Sequence, residues 1–299
     1  MSRAQNSRNP TSAMLRGFRP WAYFKNLLLL IGALYLPGRP DVSGLWTAAL
    51  AAMAAFCLLS SSVYLFNDIH DLEQDRRHPE KRLRPLASGL ITLPQVLIMA
   101  VSCAAAGLAL IHVEIPRLWL PACVFLTLNA AYSMRLSRIP WLEMACVASS
   151  YTVRAWAGLT VLNGPGGAWA ILATFSAGLA GVACKRRAEL MTAEGYFNRR
   201  SAAGYTPGAL TPLILAASAL SSASYVLLCA SLQMESPLML LTIPWALLIL
   251  ARYLFLVFRR DQGEHPERTF VSDTSLLSLS LAWAAFLLFF LGGIIHFEQ

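Results

Sequence analysis

The stretch Asn67-Asp68-Ile69-His70-Asp71-Leu72-Glu73-Gln74-Asp75 follows directly on residues 45–66, which carry no charged side chain. About 20 apolar residues are enough for a helix to cross a bilayer. The carboxylates therefore stand where such a helix meets water. If the helix continues, Asp68, Asp71 and Asp75 fall at i, i+3 and i+7, on one face with Asn67 beside them. Three carboxylates this close repel one another unless a cation sits between them. Oxygen donors of this kind suit Mg2+, which takes one or two carboxylates and fills its shell with water and substrate phosphates. The alternative reading is a solvated acidic loop.

The rest of the chain supports a membrane setting. Of 299 residues, 57% are hydrophobic and 13% charged, against about a quarter charged in soluble domains. Nine segments meet the spanning criterion: 22–37, 45–66, 91–112, 116–132, 139–162, 167–184, 209–230, 237–258 and 273–295. The expected fold is an all-α polytopic membrane protein with nine transmembrane helices. The organisation expected is an N-terminal cytoplasmic segment 1–21, a single domain 22–295 and a tail 296–299. Two long polar connections, 67–90 and 185–208, are the places to look for chemistry.

With the N-terminus in the cytoplasm, every Lys and Arg except Arg39, Arg117, Arg154 and Arg252 falls in cytoplasmic loops or before Leu27. The positive-inside rule thus puts the N-terminus in and the C-terminus out. A net charge of +8 in so apolar a chain points to lipid headgroups or an anionic substrate rather than nucleic acid. The first twenty residues are polar and basic and do not read as a signal peptide. Cys57, Cys103, Cys123, Cys146, Cys184 and Cys229 lie in apolar stretches without C-x-x-C spacing, and read as small hydrophobes.

Directly after the carboxylates come Arg76, Arg77, His78, Lys81, Arg82 and Arg84. Taken singly these cations orient the loop. Their order after the carboxylates suits a metal-bridged polyphosphate whose remaining charge needs Lys or Arg. Arg154 lies mid-segment, where an unpaired charge costs about 3 kcal/mol, so it is expected to face a cavity. Glu143, eleven residues away, is about 16 Å along the helix and too far to pair with it. Arg252 lies near enough to a helix end to snorkel and is read as structural; Lys25 either snorkels or, with Arg19, receives the phosphate of a lipid. Trp21 and Tyr23 suit the headgroup belt, and His70 points away from the carboxylate face.

Asn67-Asp68-x-x-Asp71-x-x-x-Asp75, His78-Pro79-x-Lys81 and Arg84-Pro85-x-x-x-Gly89 together resemble the first signature of the UbiA superfamily of intramembrane prenyltransferases. That resemblance implies nine helices around a central cavity open sideways to lipid. The second loop separates the branches. Aromatic prenyltransferases carry a second aspartate-rich motif there that binds another magnesium, whereas this chain has Lys185-Arg186-Arg187-x-Glu189-Leu190 and, further on, Gly204-Tyr205-Thr206. That pattern, and Arg19-Pro20-Trp21-x-x-x-Lys25-Asn26, resemble the polyprenyl-phosphate phosphoribosyltransferase branch. Arg154-x-x-x-Gly158 matches it too. Glu143, three residues after Pro140, departs from the aspartate usual in that branch.

The resemblance implies transfer of 5-phosphoribose from phosphoribosyl diphosphate to a polyprenyl phosphate such as decaprenyl phosphate, releasing diphosphate for cell-wall arabinan synthesis at a bacterial inner membrane. Asp68, Asp71 and Asp75 would hold Mg2+, with Asn67 beside them; Arg19, Lys25, Lys81, Arg84, Arg154, Lys185, Arg186, Arg187, Glu189 and Tyr205 would bind substrate. The runner-up is a prenyltransferase moving a prenyl group from prenyl diphosphate to an aromatic or lipid acceptor. A cation-coupled transporter would also explain the helices, but its ion site belongs near the membrane midplane. Oligomeric state is left open, and a homo-oligomer is compatible with the sequence.

Overall fold

In the computed structural model, residues 10–35, 42–162, 167–191, 204–232, 237–260, 262–263 and 266–297 are described. Helices account for the architecture, and there is no strand among the described residues. Besides short 3₁₀ turns at Lys81–Leu83, Pro116–Leu118, Leu136–Arg138 and Pro237–Leu241, they are in chain order α1 (Pro10–Phe18), a 3₁₀ helix (Pro20–Tyr35), α2 (Val42–His70), α3 (Leu72–Arg77), α4 (Leu93–Glu114), α5 (Trp119–Met134), α6 (Leu142–Val161), α7 (Ala168–Met191), α8 (Pro207–Leu232), α9 (Thr242–Arg260), α10 (Pro266–Ser272) and α11 (Thr274–Phe297). In its described residues each of the nine apolar segments is largely helical. Five spans, Ser43–His70, Leu93–Glu114, Ala168–Met191, Pro207–Leu232 and Met239–Arg260, are long and apolar enough to cross a membrane. The chain is a multi-pass integral membrane protein.

Two features of the N-terminal region go beyond the sequence reading. Residues 10–18, read as part of a cytoplasmic segment, form α1, whose Ala13 is fully buried in a cluster with Leu65, Leu86, Ile91, Val96 and Ala100. Pro20 disfavours the α region for the residue before it, and Arg19 takes a left-handed φ of 54° that ends α1. The next helix is 3₁₀ over 16 residues. At about 2.0 Å per residue it reaches about 32 Å, against about 24 Å for an α-helix of the same length. A segment short for an α-helical span thereby gains the length of one.

This 3₁₀ helix crosses α6 backbone to backbone. A Cβ on Gly158 would overlap the carbonyl oxygen of Leu29, and one on Gly32 would come within 2.5 Å of the Gly158 oxygen. Glycine at the crossing lets the two helices approach this closely, as small residues do in membrane interiors. Leu29, Ala52, Ala55, Phe56, Leu59, Phe125, Ala157 and Leu162 fill the core around it. At the other end, α4 starts where Gln95 Oε1 accepts the Thr92 backbone N–H at 2.8 Å, a reciprocal cap that stops the first polar loop. All six cysteines are free thiols, four of them buried and Cys123 exposed.

Candidate active site

Helical hydrogen bonding runs from α2 into α3 through Asp71, whose N–H bonds the Asn67 carbonyl at 2.9 Å and whose carbonyl accepts the Asp75 N–H at 2.8 Å. Asp68 and Asp75 therefore lie buried on the inner face, Asp71 is half-buried, and His70 is exposed as expected. Arg84 gathers the inner pair: its Nη1 donates to Asp68 Oδ1 at 3.1 Å and to Asp75 Oδ2 at 2.6 Å. Arg19 closes on Asp68 Oδ1 from the other side while its guanidinium sits 5.2 Å from the Tyr64 ring. Burial pulls the Arg19 guanidinium below its ordinary range, and Asp68 opposes that shift. Between α3 and Arg84, His78 Nδ1 accepts the N–H groups of Glu80 and Lys81 at 3.2 and 3.3 Å, shaping the turn that carries half-buried Lys81.

Two carboxylate oxygens converging on one nitrogen make an oxygen donor set of the kind a small hard cation takes alongside substrate phosphates. Among the described residues, no three His, Cys, Asp or Glu side chains stand close enough to hold a metal unaided. Of the expected trio, Arg84 joins Asp68 and Asp75, and Asp71 lies between them in sequence where α2 passes into α3.

Next to this pair, Asn67 borders a cavity of about 200 Å³. Its walls include Ser60, Tyr64, Phe125, Asn129, Tyr132, Ser150 and Tyr151, and its charged groups are Lys25 and Arg154; no carboxylate is among the described lining residues. Asn67 is held by a hydrogen bond from Ser133. Arg154 is 4% exposed, and no described carboxylate pairs with it. Its Nε donates to Asn26 Oδ1 at 2.8 Å, its Nη1 to the Ser150 carbonyl and Oγ at 2.6 and 2.9 Å, and its Nη2 reaches Ser60 Oγ at 3.4 Å. Phe125 lies 4.6 Å from it, face on. The expectation that Arg154 faces a cavity holds. Lys25 Nζ lies 5.9 Å from the Tyr151 ring, at the cavity wall.

The second loop is arranged differently from the first. Arg186 is buried and paired with two carboxylates, Glu143 at 2.5 Å and Glu189 at 2.6 Å. Tyr205 donates its phenol proton to Glu143 at 3.0 Å; burial pushes that phenol well up, and Glu143 adds to the shift. Arg187 lies over the Phe258 ring at 4.9 Å, and Lys185 is half-buried. Arg199 and Arg200 lie outside the described residues. Arg252, expected to snorkel, instead makes a two-point pair with Asp273 at 3.1 and 2.7 Å, and stays structural. Tyr23, assigned above to the headgroup belt, turns inward to share a 2.6 Å hydrogen bond with Ser61 Oγ; Trp21 remains exposed.

The sequence reading did not include Asn26, Ser60, Asn129, Ser133 and Ser150 in the site. They are small polar residues in apolar helices, and apart from Asn26, which belongs to the motif at Arg19, the local signal they give is polarity within a largely apolar stretch.

The fold is an all-helical membrane one, with carboxylates at a helix end and Lys25 and Arg154 lining the cavity that Asn67 borders. Residues 26–279 match the UbiA prenyltransferase family, and the chain belongs to that family. It is 33% identical over 289 residues to the decaprenyl-phosphate phosphoribosyltransferase of Mycobacterium tuberculosis, covering 93% of each chain. To the enzyme of the same name from Corynebacterium glutamicum it is 31% identical over 291 residues, covering 93% of this chain and 86% of the other. Among solved structures, a UbiA homologue from Archaeoglobus fulgidus bound to GPP and Mg2+ superposes with a TM-score of 0.72 at 17% identity, over 95% of this chain and 99% of that one.

Proposed function

We propose that the protein transfers 5-phosphoribose from phosphoribosyl diphosphate to a polyprenyl phosphate, with decaprenyl phosphate the first candidate, and releases diphosphate. The product would serve cell-wall arabinan synthesis. One observation carries the reading: among the cavity's described lining residues the charged ones are Lys25 and Arg154, and Asn67, also in the lining, directly precedes Asp68 of the carboxylate pair. Its size of about 200 Å³ suits a compact anionic group, so a long prenyl chain would lie outside it, along the lipid. The names of the relatives above support decaprenyl phosphate as acceptor and a phosphoribosyl group as the group transferred.

In this reaction the bond from ribose C1 to the diphosphate oxygen breaks and a bond from C1 to a phosphate oxygen of the lipid forms. That oxygen is already ionised at pH 7, so no general base is required. Asp68 and Asp75, with Asp71 close by, would hold Mg2+, which when bound offsets the charge of the departing diphosphate. Lys81 would supply further charge to the same group, and so would Arg84 once its two carboxylates are engaged with the metal. Arg19 and Lys25, just before and within the 3₁₀ helix, receive the lipid phosphate, and Arg154 stabilises anionic substrate from the cavity wall. Losing one such preorganised contact typically costs about a hundredfold in rate. Lys185 approaches from the second loop, and Arg186, Arg187, Glu189 and Tyr205 set that loop's position.

Nine spanning helices, an N-terminus in and a C-terminus out, and loops 67–90 and 185–208 on the cytoplasmic face of the bacterial inner membrane complete the proposal; the distribution of Lys and Arg supports it. The test is diphosphate release by purified protein in Mg2+. It should require both phosphoribosyl diphosphate and polyprenyl phosphate. Release that ignores the lipid, or that needs a prenyl diphosphate instead, would reject this function.

A further inference from the structure

Glu143 is fully buried and has no part in the chemistry proposed above, yet both ends of the second loop bind it. From the end of α7, Arg186 Nε donates to Oε1 at 2.5 Å and Nη2 to Oε2 at 3.2 Å. From just before α8, the Tyr205 hydroxyl donates to Oε1 at 3.0 Å and accepts the Trp141 N–H at 3.1 Å. The Trp141 and Tyr205 rings meet edge to face at 5.3 Å. Trp141 holds a left-handed φ of 65°, a conformation that a bulky side chain keeps only where its surroundings over-determine it. Gly204 presses against Pro140 so closely that a Cβ there would overlap the proline ring.

The pairing also settles what Arg186 does. Its guanidinium is already divided between Glu143 and Glu189, so its charge is compensated within the protein rather than offered to a phosphate. With Arg186 on Glu143 and Arg187 over Phe258, the helical turn of 100° per residue puts Lys185 on the line of Gly178. Gly178 packs on Ala148 and Tyr151, and Tyr151 is a wall of the cavity. On α6, Glu143 shares its face with Val147, Ser150 and Arg154, at i+4, i+7 and i+11, and all three line the cavity.

We propose that Glu143 is a positioning residue: it ties the end of α7, through Arg186, to the residues just before α8, through Tyr205, and so fixes the turn of α7 that carries Lys185 toward the anionic donor. This rests on phosphoribosyl transfer being the reaction. The test is steady-state kinetics of wild type, Glu143→Gln, Glu143→Asp and Tyr205→Phe, with KM measured separately for phosphoribosyl diphosphate and for polyprenyl phosphate, alongside Tm. Glu143→Gln should raise the donor KM about tenfold or more and leave the lipid KM within about twofold, the pattern of lost donor binding. Glu143→Asp keeps the charge and should recover most of the loss. Tyr205→Phe removes the hydroxyl's two hydrogen bonds, to Glu143 and from the Trp141 N–H, and keeps the ion pair. It should raise the donor KM severalfold at nearly constant Tm, and it decides the matter if Glu143→Gln does not fold. Unchanged donor KM in Tyr205→Phe, or equal rises for both substrates, would overturn the clamp. A wild-type protein that consumes no phosphoribosyl diphosphate would instead refute the reaction itself.

Discussion

Arg154 Nε donates a 2.8 Å hydrogen bond to Asn26 Oδ1, joining α6 to the 3₁₀ helix across 128 residues of chain. One turn further along α6, Gly158 lets the same two helices touch at Leu29. The close crossing fixes the distance between the helices, and the hydrogen bond fixes the direction of the guanidinium. Arg154 is thereby aimed rather than merely tolerated in an apolar interior, where a charge without such partners is costly.

Arg154→Met should lower turnover by about tenfold or more, since about 1.4 kcal/mol of lost stabilisation suffices. It should insert normally, because it replaces a buried charge by an apolar side chain. Asn26→Ala should lower turnover by a smaller factor, and the double variant should lose no more than Arg154→Met alone, as expected of coupled residues. Additive losses, measured as kcat/KM, would show that Asn26 acts independently of Arg154.

Gly158→Ala tests the crossing. Its methyl would overlap the Leu29 carbonyl, backbone that cannot swing away, so the helices must separate. Overpacking of this kind costs about 1–3 kcal/mol. The measurement is Tm in detergent, which should fall by several degrees, with turnover falling as well because Arg154 loses its aim. A variant as stable as wild type would mean that the helices part easily.

The nine apolar segments were legible because span length and hydropathy are local properties, and each is largely helical in its described residues. The carboxylates and cations of the first loop were legible as a motif. What makes them a site was not, because it joins residues far apart in sequence. Asn67 meets Ser133, Arg19 meets Asp68, and Arg186 meets Glu143. Glu143 itself was visible as a carboxylate in an apolar segment, but periodicity cannot name a partner on another helix. The 3₁₀ character of residues 20–35 was equally hidden, since an apolar run reads the same in either helix.

Metal dependence is the next expectation. Excess chelator should abolish turnover, and Asp68→Asn or Asp75→Asn should weaken Mn2+ binding measured by electron paramagnetic resonance, because each removes an oxygen donor. Full activity in chelator, or unchanged Mn2+ binding in both variants, would remove the carboxylates from any metal site.

Lys185→Ala should raise the KM for phosphoribosyl diphosphate far more than Arg200→Ala does. Arg187→Ala should act chiefly on stability, since its guanidinium stacks on Phe258 and such a contact is worth about 1 kcal/mol. Equal KM effects from all three would mean that these cations serve topology rather than substrate.

The choice of donor tests the account most directly. Purified protein in Mg2+ would be given phosphoribosyl diphosphate, a prenyl diphosphate, polyprenyl phosphate and 4-hydroxybenzoate in one mixture, and the lipid products weighed by mass spectrometry. The predicted product is polyprenyl phosphate heavier by one phosphoribosyl group, absent from the Asp68→Asn variant. Prenylated 4-hydroxybenzoate, with no phosphoribosylated lipid, would contradict the account and assign the cavity to a prenyl donor.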